Sequence, residues 1–347
     1  MKTDAVETWP IWTTLKDFHP KFTLSPTLDL ENLLDRISIY QYRKMTFESD
    51  ALNAFLGILS NYEKGPQGIQ HYWGLPIVPP PRNTENMEEL KIERYLAYYY
   101  IPDESLTKRF VASLTWSISG SWPWSSPRPK RRPEFPSWSW TGWSKESCDR
   151  GCRSTDVLSD VRVKVEHRNG RIQDIEGFAL SGGFSLSPLH LTRFIHITAR
   201  TAKVRIRHIA MEEIESEDPN SHESKSKGTD KLAWAEFLRR DGLSAYSHAS
   251  LAGEHMVEPT GEYTAILLAS RSDDDNDWYV LSLVDEGLVE VERIGSVRVL
   301  SKAAKVKYSS SSSFYEAAIR GKDGTLRATA SFDMAQVDWK MRTIRLG

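Results

Sequence analysis

Between Arg131 and Trp143 the chain reads Arg-Arg-Pro-Glu-Phe-Pro-Ser-Trp-Ser-Trp-Thr-Gly-Trp, and this stretch constrains the fold more than any other. Three of the 12 tryptophans, Trp138, Trp140 and Trp143, fall here, and Trp122 and Trp124 come shortly before it. Aromatic area of this size dominates core energetics and calls for burial. Pro133 and Pro136 cannot donate to a β-ladder, so a strand can begin only after them. From Pro136 onward Trp138 and Trp140 alternate with Ser139 and Thr141, which predicts a strand with both indoles on one face. Gly142 breaks the alternation, as a bulge or a close backbone approach does. The expectation is a core strand anchoring a β-rich domain. The competing reading is an exposed aromatic binding platform.

The chain downstream supports a β-rich domain. Val161, Val163 and Val165 alternate with Arg162, Lys164 and Glu166. Phe194–Ala199, Val204–Ile209, Tyr263–Ala269, Trp278–Val284, Val289–Ile294 and Val297–Leu300 follow as short strands. Asp273, Asp274, Asp275 and Asp277 sit in a hairpin tip between Ser270 and Asp277. Such a succession predicts an antiparallel sandwich or barrel. Two stretches interrupt it. Glu212–Asp230 is acidic, then rich in Ser and Lys, and reads as a disordered insertion. Ser309–Ser313 is a serine run that composition assigns to a loop. Leu232–Leu238 reads as a short helix.

Upstream the period changes. After a candidate N-cap at Asp29, Leu30, Leu33, Leu34 and Ile37 follow helical spacing to Tyr40. Ser49 or Asp50 can cap a second helix with Leu52, Phe55, Leu56 and Leu59 on one face. Gly57 inside it costs about 1 kcal/mol against alanine and so suggests close packing. Gly65-Pro66 ends this section, and His71–Val78 is an aromatic segment closed by Pro79, Pro80 and Pro81. Tyr95, Tyr98, Tyr99 and Tyr100 form an aromatic patch, and Phe110–Trp116 fits a strand or a buried helix end equally well. The fold class expected is α+β: a short N-terminal helical pair over residues 1–64, then a mainly antiparallel β-rich region over residues 65–347.

Composition excludes several classes. With 45 basic and 47 acidic residues, net charge -2, nothing draws the whole chain to nucleic acid or anionic lipid. Cys148 and Cys152 are the only cysteines, too few for a disulfide-built secreted scaffold, and no second pair completes a zinc site. Residues 1–7 lack the apolar core of a signal peptide, and runs such as Ile266–Ala269 are far too short to span a bilayer. A cytoplasmic protein without cofactor or metal is the expectation.

Three segments resemble fungal heterokaryon-incompatibility proteins, the HET-domain family. Tyr42–Leu59, reading Tyr-Arg-Lys-Met-Thr-Phe-Glu-Ser-Asp-Ala-Leu-Asn-Ala-Phe-Leu-Gly-Ile-Leu, is similar to a family block of Tyr, a basic residue, then Leu-Thr and Ser-Asp-Ala-Leu-Asn-Ala. Tyr72-Trp73-Gly74-Leu75-Pro76 resembles the family's Trp-Gly-Leu-Pro segment, and Arg131–Trp143 is the most specific of the three. Arg342–Gly347 fits family C-termini loosely. In the family these blocks lie at the end of the HET domain and downstream of it, while its N-terminal Arg-Ala-Trp-Thr-x-Gln-Glu block is not found here. The resemblance therefore implies the C-terminal part of such a protein, either a truncated copy or a short gene model, with a protein partner, acting in self/non-self recognition and cell death after hyphal fusion, without enzymatic activity of its own. The HET domain is similar in fold to TIR domains, some of which cleave NAD. The alternative implied is a TIR-like NAD-cleaving enzyme if an upstream HET domain exists. No catalytic or cofactor-binding residue carries over to this chain.

Residue chemistry offers little against that reading. His71, beside Tyr72 and Trp73, has no acid or nucleophile positioned by sequence and reads as a structural histidine. Glu48 and Asp50, at i and i+2, do not face each other on a helix and read as helix-start carboxylates. The Asp273–Asp277 cluster lacks the glycine and closing glutamate of an EF-hand. Arg128, Lys130, Arg131 and Arg132 form a basic patch that could touch RNA, but their stems are expected to cover the aromatic segment with guanidiniums over indoles.

Overall fold

The computed structural model describes residues 30–41, 43, 45–79, 105–118, 130–144, 156–180, 190–209, 214–215, 232–251, 261–272, 277–300, 317–320, 324–329 and 333–347. The elements run in chain order from two helices, α1 (Leu30–Gln41) and α2 (Leu56–Glu63), to a hairpin of β1 (Gln70–Tyr72) and β2 (Leu75–Ile77). Helix α3 (Leu106–Ile118) and the short strands β3 (Lys130–Arg131) and β4 (Trp143–Ser144) follow. Next come β5 (Asp156–Val157), β6 (Arg162–His167), β7 (Ile172–Asp174), α4 (Ile175–Leu180) and β8 (Leu191–Ile209). The remaining strands are β9 (Ile214–Glu215), β10 (Leu232–Leu238), β11 (Ser244–Leu251), β12 (Glu262–Ser272), β13 (Asp277–Asp285), β14 (Glu292–Leu300), β15 (Ala317–Arg320), β16 (Leu326–Thr329) and β17 (Lys340–Leu346), with a 3-10 turn at Met334–Gln336 before the last. The fold is α+β with a large, mainly antiparallel sheet of 13 strands.

Its spine is β8, a single strand of 19 residues where sequence suggested two. The C-terminal half of β8 pairs with β12, and pairing continues through β13, β14 and β11 to β10, which returns to β8. These six strands close a barrel. Period-two alternation fills it: Ala202, Val204 and Ile206 from β8, Ala235 and Phe237 from β10, and Ala265 and Leu267 from β12 all belong to one buried cluster. The N-terminal half of β8 leaves the barrel between β6 and β17 in a four-stranded extension ordered β7-β6-β8-β17. There the opposite residues are buried. Ile195, Ile197 and Ala199 join Val163, Val165, Ile344 and Leu346 under α3, with Phe110, Leu114 and Trp138 in the same cluster. One strand thus serves two cores, burying odd positions from Ile195 to Ala199 and even positions from Ala202 to Ile206. A third cluster holds Leu33, Ile37, Phe55, Leu59 and Trp140.

Several expectations change. Leu232–Leu238 is the strand β10, not a helix. Its alanines favour helix, but Ala233, Ala235 and Phe237 fill the barrel at period two, and tertiary burial outweighs local propensity. The second helix starts at Leu56, not near Ser49 or Asp50, which lie in a 3-10 turn (Glu48–Asp50) without a side-chain cap bond. A Cβ on Gly57 would meet open space, so no close packing explains that glycine. Phe110–Trp116 belongs to a helix, and Val289 is fully exposed in the turn before β14 instead of opening a strand. Within Glu212–Asp230, Ile214 and Glu215 pair in parallel with Leu326 and Arg327; the other residues of that stretch lie outside the described ones. So do Asp29, Tyr95–Tyr100, Trp122, Trp124, Arg128, Cys148, Cys152, Asp273–Asp275 and Ser309–Ser313.

Candidate functional site

Residues 131–143 form a closed loop rather than a strand. Arg131 pairs with Trp143 at its mouth, and Arg132 N–H donates to the Gly142 carbonyl at 2.8 Å. Inside, Ser139 N–H reaches the Pro136 carbonyl, and Trp140–Gly142 is a 3-10 turn capped by Ser139 Oγ, which accepts from Thr141 N–H at 3.3 Å. The expected extended alternation fails for a local reason: hydroxyls next to two prolines offer the backbone a turn in place of a ladder.

Trp138 and Trp140 are both fully buried, as a core requires, but they do not share a face. Trp138 packs against Tyr72 and Phe110, ring centroids 5.2 and 6.0 Å away, and its Nε1–H donates to the Arg193 carbonyl at 3.0 Å. Trp140 turns to the helices, edge-on to Phe55 at 5.5 Å and Tyr40 at 6.0 Å, and donates to the Gly74 carbonyl at 2.8 Å. Trp143 donates to the Ser137 carbonyl at 2.7 Å, with the guanidiniums of Arg131 and Arg293 at 5.6 and 5.5 Å from its ring. Each indole N–H has a partner, which buried tryptophans need. An aromatic platform would leave these faces open. They are closed.

Three segments far apart in sequence, Tyr42–Leu59, Tyr72–Pro76 and Arg131–Trp143, meet at this loop. The β1–β2 hairpin turns at Trp73 and Gly74, both with positive φ (50° and 85°), a two-residue turn suited to tight antiparallel pairing. A Cβ on Gly74 would press on the Thr141 methyl at 2.7 Å, so only glycine fits under the loop. The Trp73 carbonyl accepts from Ser139 Oγ at 2.7 Å and from Thr141 Oγ1 at 3.0 Å. From the first segment come Phe55 and Glu48, whose carboxylate pairs with the buried Arg132 guanidinium. Arg132 also donates to the Trp143 carbonyl, and Arg131 pairs with Glu292 at 2.7 Å. At the other end Ser137 N–H and Oγ both donate to the Gly347 carbonyl, and Arg293 N–H donates to Ser137 Oγ. Arg131 meets the expectation of a guanidinium over an indole. Arg132 spends its donors on carbonyls and on Glu48, so Glu48, in the first turn of the 3-10 helix Glu48–Asp50 as a helix-start carboxylate, also holds an arginine 84 residues away.

The shared acceptor gives a prediction. Ser139→Ala costs about 1 kcal/mol, because Thr141 still satisfies the Trp73 carbonyl. Ser139→Ala with Thr141→Val costs more than the sum of the singles, since the acceptor is then left without either hydroxyl. Urea midpoints of the three variants check this, and strict additivity would contradict the shared acceptor.

His71 stays structural: its Nδ1 accepts from Gly74 N–H at 3.3 Å, and burial holds its pKa down at about 4, so it is neutral. Sequence reasoning missed two carboxylates. Glu166 on β6 accepts from Arg345 Nε and Nη2 at 2.7 and 2.8 Å and from His196 Nε2 at 2.9 Å. Glu286 accepts from Arg342 at 2.9 and 2.6 Å, from Thr264 and from Lys203. The bonds from Arg345 hold Glu166 at a pKa of about 2 against burial, and those from Arg342 do the same for Glu286. Their partners lie up to 179 residues away, so no local motif marks them. Carboxylates held so low are poor proton acceptors near neutrality; what they do is clamp β17 from both faces.

That clamp is acid-sensitive. Both groups titrate below their ordinary 4.5, so their stabilisation is complete above that pH and is lost as pH falls from about 4.5 to about 2. Urea unfolding at about pH 6 and about pH 3 should show a larger loss for the wild type than for Glu166→Gln/Glu286→Gln. Equal losses would mean that the two carboxylates are not the acid-labile groups.

Among the described residues no group of three His, Cys, Asp or Glu side chains could hold a metal ion, and no helix is long and apolar enough to cross a membrane. Comparison with protein-family models, with curated proteins and with solved structures finds no match to this chain.

Proposed function

We propose that the chain is the non-enzymatic interaction and regulatory part of a heterokaryon-incompatibility-type protein, acting inside fungal cells in self/non-self recognition and cell death. One observation carries this. The three segments that resemble the family, far apart in sequence, converge on one buried loop in which Trp138, Trp140, Ser139, Thr141 and Arg132 all bond to backbone carbonyls. Residues that share a family pattern for structural reasons behave in this way. The polar groups at the convergence are committed to holding the fold, which supports a scaffold for partner contacts over a catalytic centre.

The test has two arms. Expressed in a filamentous fungus, the wild-type chain should change the frequency of compartment death after hyphal fusion, scored with a vital dye, while Gly142→Ala should not. The purified chain should hydrolyse no NAD above a buffer control. No effect of the wild type on fusion outcome removes the process from the reading. NAD turnover abolished by one point substitution replaces it with the TIR-like enzyme.

A further inference from the structure

Among the described residues nothing packs over one face of the barrel extension's sheet. Ile195, Ile197 and Ala199 bury one side of β8 under α3, so the alternate residues of β6, β8 and β17 face the other way. That open face presents Arg162, Lys164, His196, Arg200 and Arg345, with Phe194 beneath the last. Part of this charge is internally balanced, Arg345 by Glu166 and Arg200 by Asp160. Part is not. Arg162 donates to the Ser159 and Val161 carbonyls and meets no carboxylate among the described residues. Lys164 is exposed and makes no ion pair among the described residues; Asp174, opposite it in the register, accepts from Glu176 N–H through Oδ1 at 3.0 Å.

We propose that this face docks an acidic, extended polypeptide segment of a partner protein. Charge complementarity selects the partner. Arg162 and Lys164 stand two residues apart on one strand, a spacing of about 6.6–6.8 Å that matches carboxylates at alternate positions of an extended chain. Nucleic acid fits less well, because Phe194 is already covered by the Arg345 guanidinium, 3.4 Å from its ring centroid, and offers no surface for base stacking.

The probe is a fluorescein-labelled peptide of alternating glutamate and threonine, titrated with the full chain by fluorescence anisotropy. Binding should weaken as salt rises from about 0.05 to about 0.5 M. Arg162→Glu/Lys164→Glu should weaken it about tenfold or more. Lys64→Glu, on an exposed residue beyond α2, should leave it unchanged. Arg162→Gln/Lys164→Gln, which removes charge without reversing it, should fall between. The proposal is overturned if the peptide does not bind, if Lys64→Glu weakens binding as much as the double reversal, or if a single-stranded oligonucleotide displaces the peptide at lower concentration than unlabelled peptide does.

Discussion

Trp138→Ala and Trp140→Ala each lower stability by about 3–5 kcal/mol, a large share of the ~5–15 kcal/mol that holds a typical domain. Both indoles are fully buried, both donate to a backbone carbonyl, and each sits edge-on or tilted to two other rings. Truncation therefore opens a cavity and also strands the Arg193 or the Gly74 carbonyl. The two losses fall in different places. Without Trp138 the cluster under α3 loosens, whereas without Trp140 the α1–α2 cluster does. Urea unfolding followed by circular dichroism measures both. Midpoints near wild type for either variant would return the indoles to an exposed platform.

Gly142→Ala is the smallest change with a comparable effect, about 3 kcal/mol. A Cβ at Gly142 would overlap the Pro136 carbonyl oxygen and press on its carbon at 3.0 Å and on Arg131 Nη1 at 3.2 Å. The oxygen belongs to the backbone and accepts from Ser139 N–H, so it cannot swing aside as a flexible side chain would. The φ of Gly142 is not in the left-handed range, so the cost is one of space and not of backbone conformation. Gly57→Ala is the control. Its Cβ would meet nothing within 4 Å, and in a helix alanine gains up to about 1 kcal/mol over glycine. Opposite signs for the two substitutions, read as thermal midpoints, follow from the geometry, and equal effects would contradict it.

How far the molecule could be read from its sequence depends on the distance over which each pattern acts. The alternation of Val163 and Val165 with charged neighbours marked β6 because its two faces meet core and water in simple register. β8 was legible only as two pieces. Its buried side changes between Ala199 and Ala202, so the apolar phase slips although the strand does not. β10 was illegible because a barrel this narrow takes alanines, and alanines read as helix. The tryptophans announced burial around residue 140, but not direction. Ser139 and Thr141 look like solvent-facing partners of an alternation, yet their hydroxyls close a turn and hold the Trp73 carbonyl. Long-range pairs such as Glu166–Arg345 leave no local trace at all.

The central claim is that one loop sends its indoles into two different cores and so joins them. Double-mutant cycles test it most directly, pairing Phe55→Leu with Trp140→Phe and, separately, with Trp138→Phe. Phe55 and Trp140 touch ring to edge at 5.5 Å, so that pair should couple by about 0.5–3 kcal/mol in urea unfolding. Phe55 and Trp138 belong to separate clusters and should add to within about 0.5 kcal/mol. Equal coupling of Phe55 to both tryptophans would place the two indoles on one face, as in a simple strand, and contradict the account.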